Sequence, residues 1–220
     1  MALRKEEIAR KLLHLFALLM PLGIFYIPSM AFPNSWMVPI SVLGFLLGGS
    51  VLVESLRFRI PTVQKYFIMF FGHMLRTEEN KQTTGSTYVI AAALICSLLF
   101  YHHKHIAFMV LSLFILGDAV AAIVGLSIGR IKIGKKSLEG SAACFLLCMI
   151  LFYTVFPHMP GVLEPWGGRV IFIIALISSL SITIFELIPL KISSKITIND
   201  NLAVPVITGG IMLLLETVMV

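Results

Sequence analysis

Seven apolar stretches, parted by short polar turns, run almost end to end along the chain. They lie at Leu12 to Ile27, Trp36 to Val53, Tyr88 to Tyr101, Ile106 to Ile128, Ala142 to Phe156, Val170 to Ile188 and Leu202 to Val220. A hydrocarbon core of ~30 Å takes about 20 helical residues per crossing, so the pattern predicts an all-α integral membrane protein of about seven transmembrane helices. The third and fifth stretches are short for a crossing, a deficit that tilted neighbours or a thinned bilayer absorbs. Between the second and third, Phe58 to Leu75 mixes Arg59, Gln64 and Lys65 with Val63, Phe67, Ile68, Phe70 and Phe71, the pattern of an interfacial amphipathic helix. Such a helix either anchors the chain at the surface or helps to form a lateral gate for a lipid.

Composition narrows the picture further. With 58% hydrophobic and 13% charged residues over 220 positions, a soluble enzyme, a disordered chain and a secreted disulfide scaffold are excluded. Residues 1–220 read as a single polytopic catalytic domain whose chemistry must sit at helix ends and short loops. The first apolar run follows basic residues, but it is long for a signal core and six more runs follow, so no cleavage is expected. An N-in, C-out arrangement puts fifteen of the seventeen Lys and Arg residues on the cytoplasmic side and leaves only Lys104 and Arg169 outside. That bias and the attraction of anionic headgroups explain the net charge of +6, and no nucleic-acid partner is needed. Cys96, Cys144 and Cys148 lie within apolar runs and read as packing residues. His102, His103 and His105 read either as a metal site or as a polar turn at the outer interface, and the turn is favoured because no carboxylate or cysteine adjoins them in the sequence.

Polar residues inside apolar runs demand a reason. Asp118 stands about a dozen residues from either end of the fourth run, where a carboxylate needs a cavity, a cation or a partner. Gly117, Ala121, Gly125 and Gly129 recur every fourth residue beside it; this ridge either admits a neighbouring helix or leaves space for a nucleotide. Downstream, Gly129 to Lys135 has the G-x-x-x-x-G-K spacing, yet Lys136 replaces the hydroxyl residue and no βαβ pattern surrounds it, so the P-loop reading is discarded. What survives is an anion site: Ser137 as N-cap of the fifth helix, Arg130, Lys132, Lys135 and Lys136 before it, and Glu139, Gly140 and Ser141 within its first turn. The turn before the third run, with Glu79, Lys81, Thr84, Gly85 and Ser86, is rich in hydroxyls and carries a candidate cap. Glu186 closes the sixth run, while Asp200 and Asn201 open the seventh ahead of Pro205, which is expected to bend that helix. Apart from Asp118, these groups share the cytoplasmic side. Carboxylates at Asp118, Glu139, Glu186 and Asp200 beside lysines form the set expected for Mg²⁺-nucleotide chemistry.

Taken in order, these blocks resemble the CTP-dependent lipid-alcohol kinases, the family of dolichol kinase, phytol and farnesol kinases and the yeast-type diacylglycerol kinase. The resemblance runs through Arg10, Lys11 and His14; Glu79, Lys81 and Thr84-Gly85-Ser86 with Tyr88; Gly117-Asp118 with Ala121, Gly125 and Gly129; Lys136-Ser137 with Glu139-Gly140-Ser141; and Glu186 with Asp200-Asn201. It implies CTP as phosphate donor, a cytidine-nucleotide site in the Gly117 to Ser141 region and a lipid alcohol from the bilayer as acceptor. In this reading Asp118, Glu139 and Asp200 hold Mg²⁺, Lys135 and Lys136 stabilise the transferred phosphoryl group, and Asp200 or Glu186 takes the acceptor's proton. The distantly related phosphatidate cytidylyltransferases are the alternative, but their C-terminal His-Gly-Gly and Asp-Arg-x-Asp signatures are missing. A small cation- or proton-coupled transporter ranks third, because the polar groups favour one face of the membrane. The identity of the alcohol stays open, as does the oligomeric state, with a homodimer allowed.

Overall fold

The computed structural model describes residues 14–30, 32–72, 75, 77–134, 136–188, 191–193 and 196–220. Arg10, Lys11 and Lys135, with the basic residues Arg4, Lys5, Arg76 and Lys195, lie outside the described residues. The chain forms α1 (Leu19–Tyr26), α2 (Met37–Arg59), α3 (Pro61–Phe71), α4 (Gly85–Leu99), α5 (Lys104–Ser127), α6 (Leu138–Ile150), α7 (Phe172–Leu187) and α8 (Asp200–Met219). Two short hairpins interrupt them: β1 (Lys132–Ile133) with β2 (Lys136–Ser137), and β3 (Lys191–Ser193) with β4 (Ile196–Thr197). This is an all-α membrane protein. Met37–Arg59, Tyr101–Ser127, Leu138–His158 and Asp200–Met219 are long and apolar enough to cross a bilayer, and His14–Ser29, Gly85–Leu99 and Phe172–Leu187 are shorter apolar helices. Phe45 on α2 is 82% exposed and Leu214 on α8 is 68% exposed, side chains that suit hydrocarbon and not water.

Local chemistry sets the boundaries. Pro61 forces Ile60 into an extended conformation (φ −117°, ψ 107°), which ends α2, and the same proline then opens α3. The segment before α6 is a hairpin with Ile133 opposite Lys136. Its turn uses Gly134 at φ +61°, a left-handed conformation that glycine adopts without strain. Ser137 caps α6 as expected, accepting from the Gly140 amide at 3.2 Å. Pro205 does not break α8: the helix runs on through it, and the proline only withholds a donor from the carbonyl of Asn201.

The centre of the bundle is α5, buried without a break from His105 to Ile115 and packed on α1, α4, α6, α7 and α8. Its small-residue ridge admits α6. A methyl group on Gly117 would sit 2.8 Å from Cys144 Sγ, one on Gly125 would sit 2.8 Å from Ser137 Oγ, and one on Gly140 would strike the Ala121 carbonyl. Helix packing thus accounts for the ridge. The three cysteines are free and buried, as expected.

The end of α2 shows what the apolar pattern hides. Glu54 and Arg57, three residues apart on one face, are 6% and 2% exposed. Arg57 Nε donates to Glu54 Oε2 at 2.6 Å, and Arg57 Nη2 donates to the carbonyls of Glu79 at 2.9 Å and Gln82 at 2.7 Å. The guanidinium also lies 4.3 Å from the ring centre of Phe58 and 4.6 Å from that of Phe67. Glu54 Oε1 accepts from both the amide and the hydroxyl of Thr84, at 2.9 and 2.8 Å. One buried ion pair therefore fastens α2, α3 and the turn before α4. Removing one member of such a pair costs about 3–5 kcal/mol because the other charge is left buried. Arg57→Met is accordingly expected to lower the thermal midpoint and to expose the 77–88 segment to hydrogen exchange, whereas Lys65→Met on exposed α3 should change neither. Unaltered exchange in Arg57→Met would show that the pair does not hold the turn.

Candidate functional site

The bundle encloses a cavity of about 590 Å³ at the end where α2 and α5 finish and α4 and α8 begin. Its lining joins two chemistries. Ala17, Met20, Val53, Phe67, Phe71 and Val89 are apolar, while His14, Ser50, Glu54, Glu79, Thr84, Ser86, Asp118 and Asn201 are polar. Phe67 and Phe71, one turn apart on α3, make the amphipathic helix a wall of the cavity, with Tyr66, Met69 and Phe70 facing outward.

Asp118 sits on the cavity side of α5, with His14 Nε2 at 3.6 Å from its Oδ2. The polar rim is held by backbone and side-chain bonds. Glu79 Oε1 accepts from the Gly85 amide at 2.7 Å, and Asn201 Nδ2 donates to the Gly85 carbonyl at 3.1 Å, so the start of α8 is tied to the start of α4. Only glycine allows this approach: a Cβ at position 85 would lie 2.7 Å from Asn201 Nδ2. Thr84 occupies the N-cap position of α4, but its hydroxyl goes to Glu54 and no side-chain cap forms. Ser50 and Thr87 hydroxyls share a 2.5 Å hydrogen bond across the same corner.

Next to Asn201, Asp200 enters a second cluster. Lys136 Nζ lies 2.9 Å from Glu186 Oε1 and 3.0 Å from Asp200 Oδ2, and it also donates to the Glu186 carbonyl. Burial alone would push the Lys136 ammonium down, but the attraction of Glu186 and Asp200 outweighs it and holds the group above its ordinary value. For a cation raised in this way, the stabilisation is fully present below the ordinary lysine range and disappears only as pH rises through the elevated folded-state value. Glu186 is 4% exposed, and its Oε2 is buried with no hydrogen-bond partner among the described residues. Its other oxygen, Oε1, shares the Lys136 ammonium with Asp200, which brings these two carboxylates together.

Other expected residues are engaged elsewhere. Glu139 Oε1 accepts from the amides of Arg130 at 3.0 Å and Ile131 at 3.1 Å, closing the β1–β2 hairpin. Lys132 donates to the Gly125 carbonyl at 2.9 Å, capping the end of α5. Lys81 is exposed. Gly117, Ala121, Gly125, Gly140 and Ser141 lie along the α5–α6 seam, Ser141 donating to the Ser137 carbonyl at 3.1 Å. The residues that pattern reading missed are Ser50, Glu54 and Arg57, while Phe67 and Phe71 belong to the amphipathic helix read as an anchor or a lateral gate. The i, i+3 spacing of Glu54 and Arg57 was the available signal.

No family model matches the chain, and no solved structure matches it. It is similar to an uncharacterized protein of Rickettsia prowazekii (strain Madrid E), 26% identical over 203 residues that cover 90% of this chain and 89% of the relative. It is also similar to a protein of Glycine max named as a probable chloroplastic phytol kinase 2, 26% identical over 159 residues, 68% of this chain and 51% of the relative. A probable chloroplastic phytol kinase of Triticum aestivum is 30% identical over 144 residues, 60% of this chain and 45% of the relative. The chain thus spans about half the length of the two plant proteins. These distant likenesses support a lipid-kinase-like relationship for this membrane protein.

Proposed function

We propose that the chain is a CTP-dependent kinase that transfers the γ-phosphate to the hydroxyl of a membrane lipid alcohol. The observation that carries this reading is the cavity: an aliphatic and aromatic wall on one side, and Asp118, His14 and the hydroxyl-rich start of α4 on the other. An acceptor with a long apolar tail and one hydroxyl matches that division, and the likeness to phytol kinases points the same way. CTP and Mg²⁺ come from the resemblance of the sequence blocks. In this reading the three shorter apolar helices also cross the bilayer, giving seven spans with the N-terminus and the site on the cytoplasmic side, as the Lys and Arg distribution favours.

A hard divalent cation calls for oxygen donors. Glu186 Oε2 is buried with no hydrogen-bond partner among the described residues, Asp200 shares Lys136 with Glu186, and Asp118 lines the cavity. Asp118, Glu186 and Asp200 would hold Mg²⁺, which supplies neutralisation of phosphate charge when bound. Glu139 serves the hairpin that presents Lys136. Lys136, kept protonated by its two carboxylates, would turn from them to the phosphoryl group and stabilise charge that grows as the bond to the β-phosphate breaks. The new bond forms between the alcohol oxygen and the γ-phosphorus, and CDP leaves. The hydroxyl proton passes to His14, which borders the cavity beside Asp118.

Three outcomes are expected. Asp118→Asn should insert and fold normally, since it removes an intramembrane charge, while kcat falls on the order of 10²–10³-fold; near-normal turnover of the purified variant would remove Asp118 from the site. Lys136→Ala should raise KM for the nucleotide and lower kcat, with a combined loss of about 100-fold, because the ammonium acts most strongly on the transition state. Unchanged kinetics would reduce Lys136 to a topological signal. The third test separates bond cleavage sites: with CTP labelled at either the γ- or the α-phosphate and a panel of polyprenols, phytol, farnesol and diacylglycerol, γ-label alone should enter the organic phase. Entry of α-label with phosphatidate as acceptor would replace the kinase by a cytidylyltransferase.

A further inference from the structure

A second polar cluster occupies the opposite end of the bundle. His103 lies in the turn before α5, His105 in its first turn, Glu216 in the last turn of α8, and Trp166 on the segment between α6 and α7. Asp118 is thirteen residues along α5 from His105, about 20 Å away at 1.5 Å per residue, so the cluster takes no part in the reaction site. Glu216 is 7% exposed. His103 Nδ1 is 2.6 Å from its Oε1, His105 Nε2 is 2.6 Å from its Oε2, and Trp166 Nε1 donates to Oε2 at 2.6 Å. One donor atom from each histidine and a carboxylate oxygen all lie within 4.8 Å of one another.

We propose that His103, His105 and Glu216 form a binding site for a borderline transition-metal dication, best matched by Zn²⁺, with its fourth position open to water. Two imidazoles and a carboxylate are a Zn²⁺ donor set and a poor one for Mg²⁺, which prefers oxygen and retained water. Ligands for Zn²⁺ stand about 2.0–2.1 Å from the metal, so tetrahedral neighbours are about 3.3 Å apart. The 2.6 Å contacts must therefore widen by about 0.7 Å. The His103 side chain, 37% exposed, has room to rotate and provides the entry path. Trp166 supplies the outer-shell hydrogen bond that orients a ligating carboxylate, and its ring meets His105 edge-on at 6.1 Å. The ligands come from the two ends of the fold that α5 and α8 bring together, so metal binding would clamp these helices.

The test uses full-length protein in detergent, stripped with chelator and kept in excess Mg²⁺ so that the carboxylates near Asp118 are already served. Titration with Co²⁺ is expected to give one equivalent of saturable binding with the visible absorption of a four-coordinate cobalt site, removed by Zn²⁺. Zn²⁺ should also raise the thermal midpoint by several degrees. His103→Ala, which alters a half-exposed side chain, and Glu216→Gln should each weaken binding at least 100-fold, and Trp166→Phe by about 10–100-fold. Absence of saturable Co²⁺ binding by the unaltered protein would overturn the proposal. So would affinity unchanged in His103→Ala, a variant that does not depend on Glu216→Gln folding.

Discussion

A charge beside hydrocarbon has to carry its own solvent, and the polar end of this bundle is built around that requirement. Lys136 is surrounded by Glu186, Asp200 and a helix-end carbonyl, and through it the β1–β2 hairpin, the end of α7 and the start of α8 are joined. Arg57 and Glu54 do the same for α2, α3 and the turn before α4. The two networks meet through Asn201, which follows Asp200 in the chain and bonds the carbonyl of Gly85. Neither network is a stabiliser in the ordinary sense, since hydrophobic side chains of equal volume could replace a buried pair at little cost. Their effect is positional: they set where five helix ends stand around one cavity.

That placement explains why the cavity has two characters. Its apolar wall comes from the start of α1 and the residues before it, the later part of α2, the first turns of α4 and from α3, where side chains would face lipid if the helices were parted. Its polar rim comes from backbone-rich turns, where amides and carbonyls need partners and hydroxyls supply them. Asp118 is the exception, a carboxylate well inside α5 that is tolerable because the cavity and His14 are beside it. The far end of the bundle is built differently. It is packed by an aromatic chain from Phe25 through Phe108 and Phe156 to Phe152 and Trp166, which leaves the His103, His105 and Glu216 cluster as its polar feature.

The α5–α6 seam shows the limit of reading small residues as ligand space. Gly117, Ala121 and Gly125 give up side-chain volume, but Cys144, Ser137 and Gly140 fill it at once. The space that does remain lies on the other side of α5, against α1, α2 and α4, and is bounded by ordinary core residues that carry no motif.

Sequence alone determined the class of this protein and much of its polar inventory. Apolar runs of bilayer length must become helices because unpaired backbone groups are too costly in lipid, and any carboxylate within them must be answered by a neighbour. Hence the helices, the Ser137 cap and the presence of a carboxylate at Asp118 inside a span were legible, as was the set of carboxylates and lysines to which Lys136, Glu186 and Asp200 belong. Tertiary structure decided which of those residues meet. Lys132 and Lys136 look equivalent in the sequence, yet they fall on opposite faces of a short hairpin because strand side chains alternate in direction, and Lys132 meets the Gly125 carbonyl, while Glu139 in the first turn of α6 takes the Arg130 and Ile131 amides. Glu54 and Arg57 looked like the polar edge of a span until α3 and the α4 turn folded over them. His103 and His105 had no carboxylate nearby in the chain, and Glu216 reaches them across more than a hundred residues because antiparallel helices bring distant ends together. Periodicity reports the environment each residue prefers, whereas the partner that supplies it is settled only by packing.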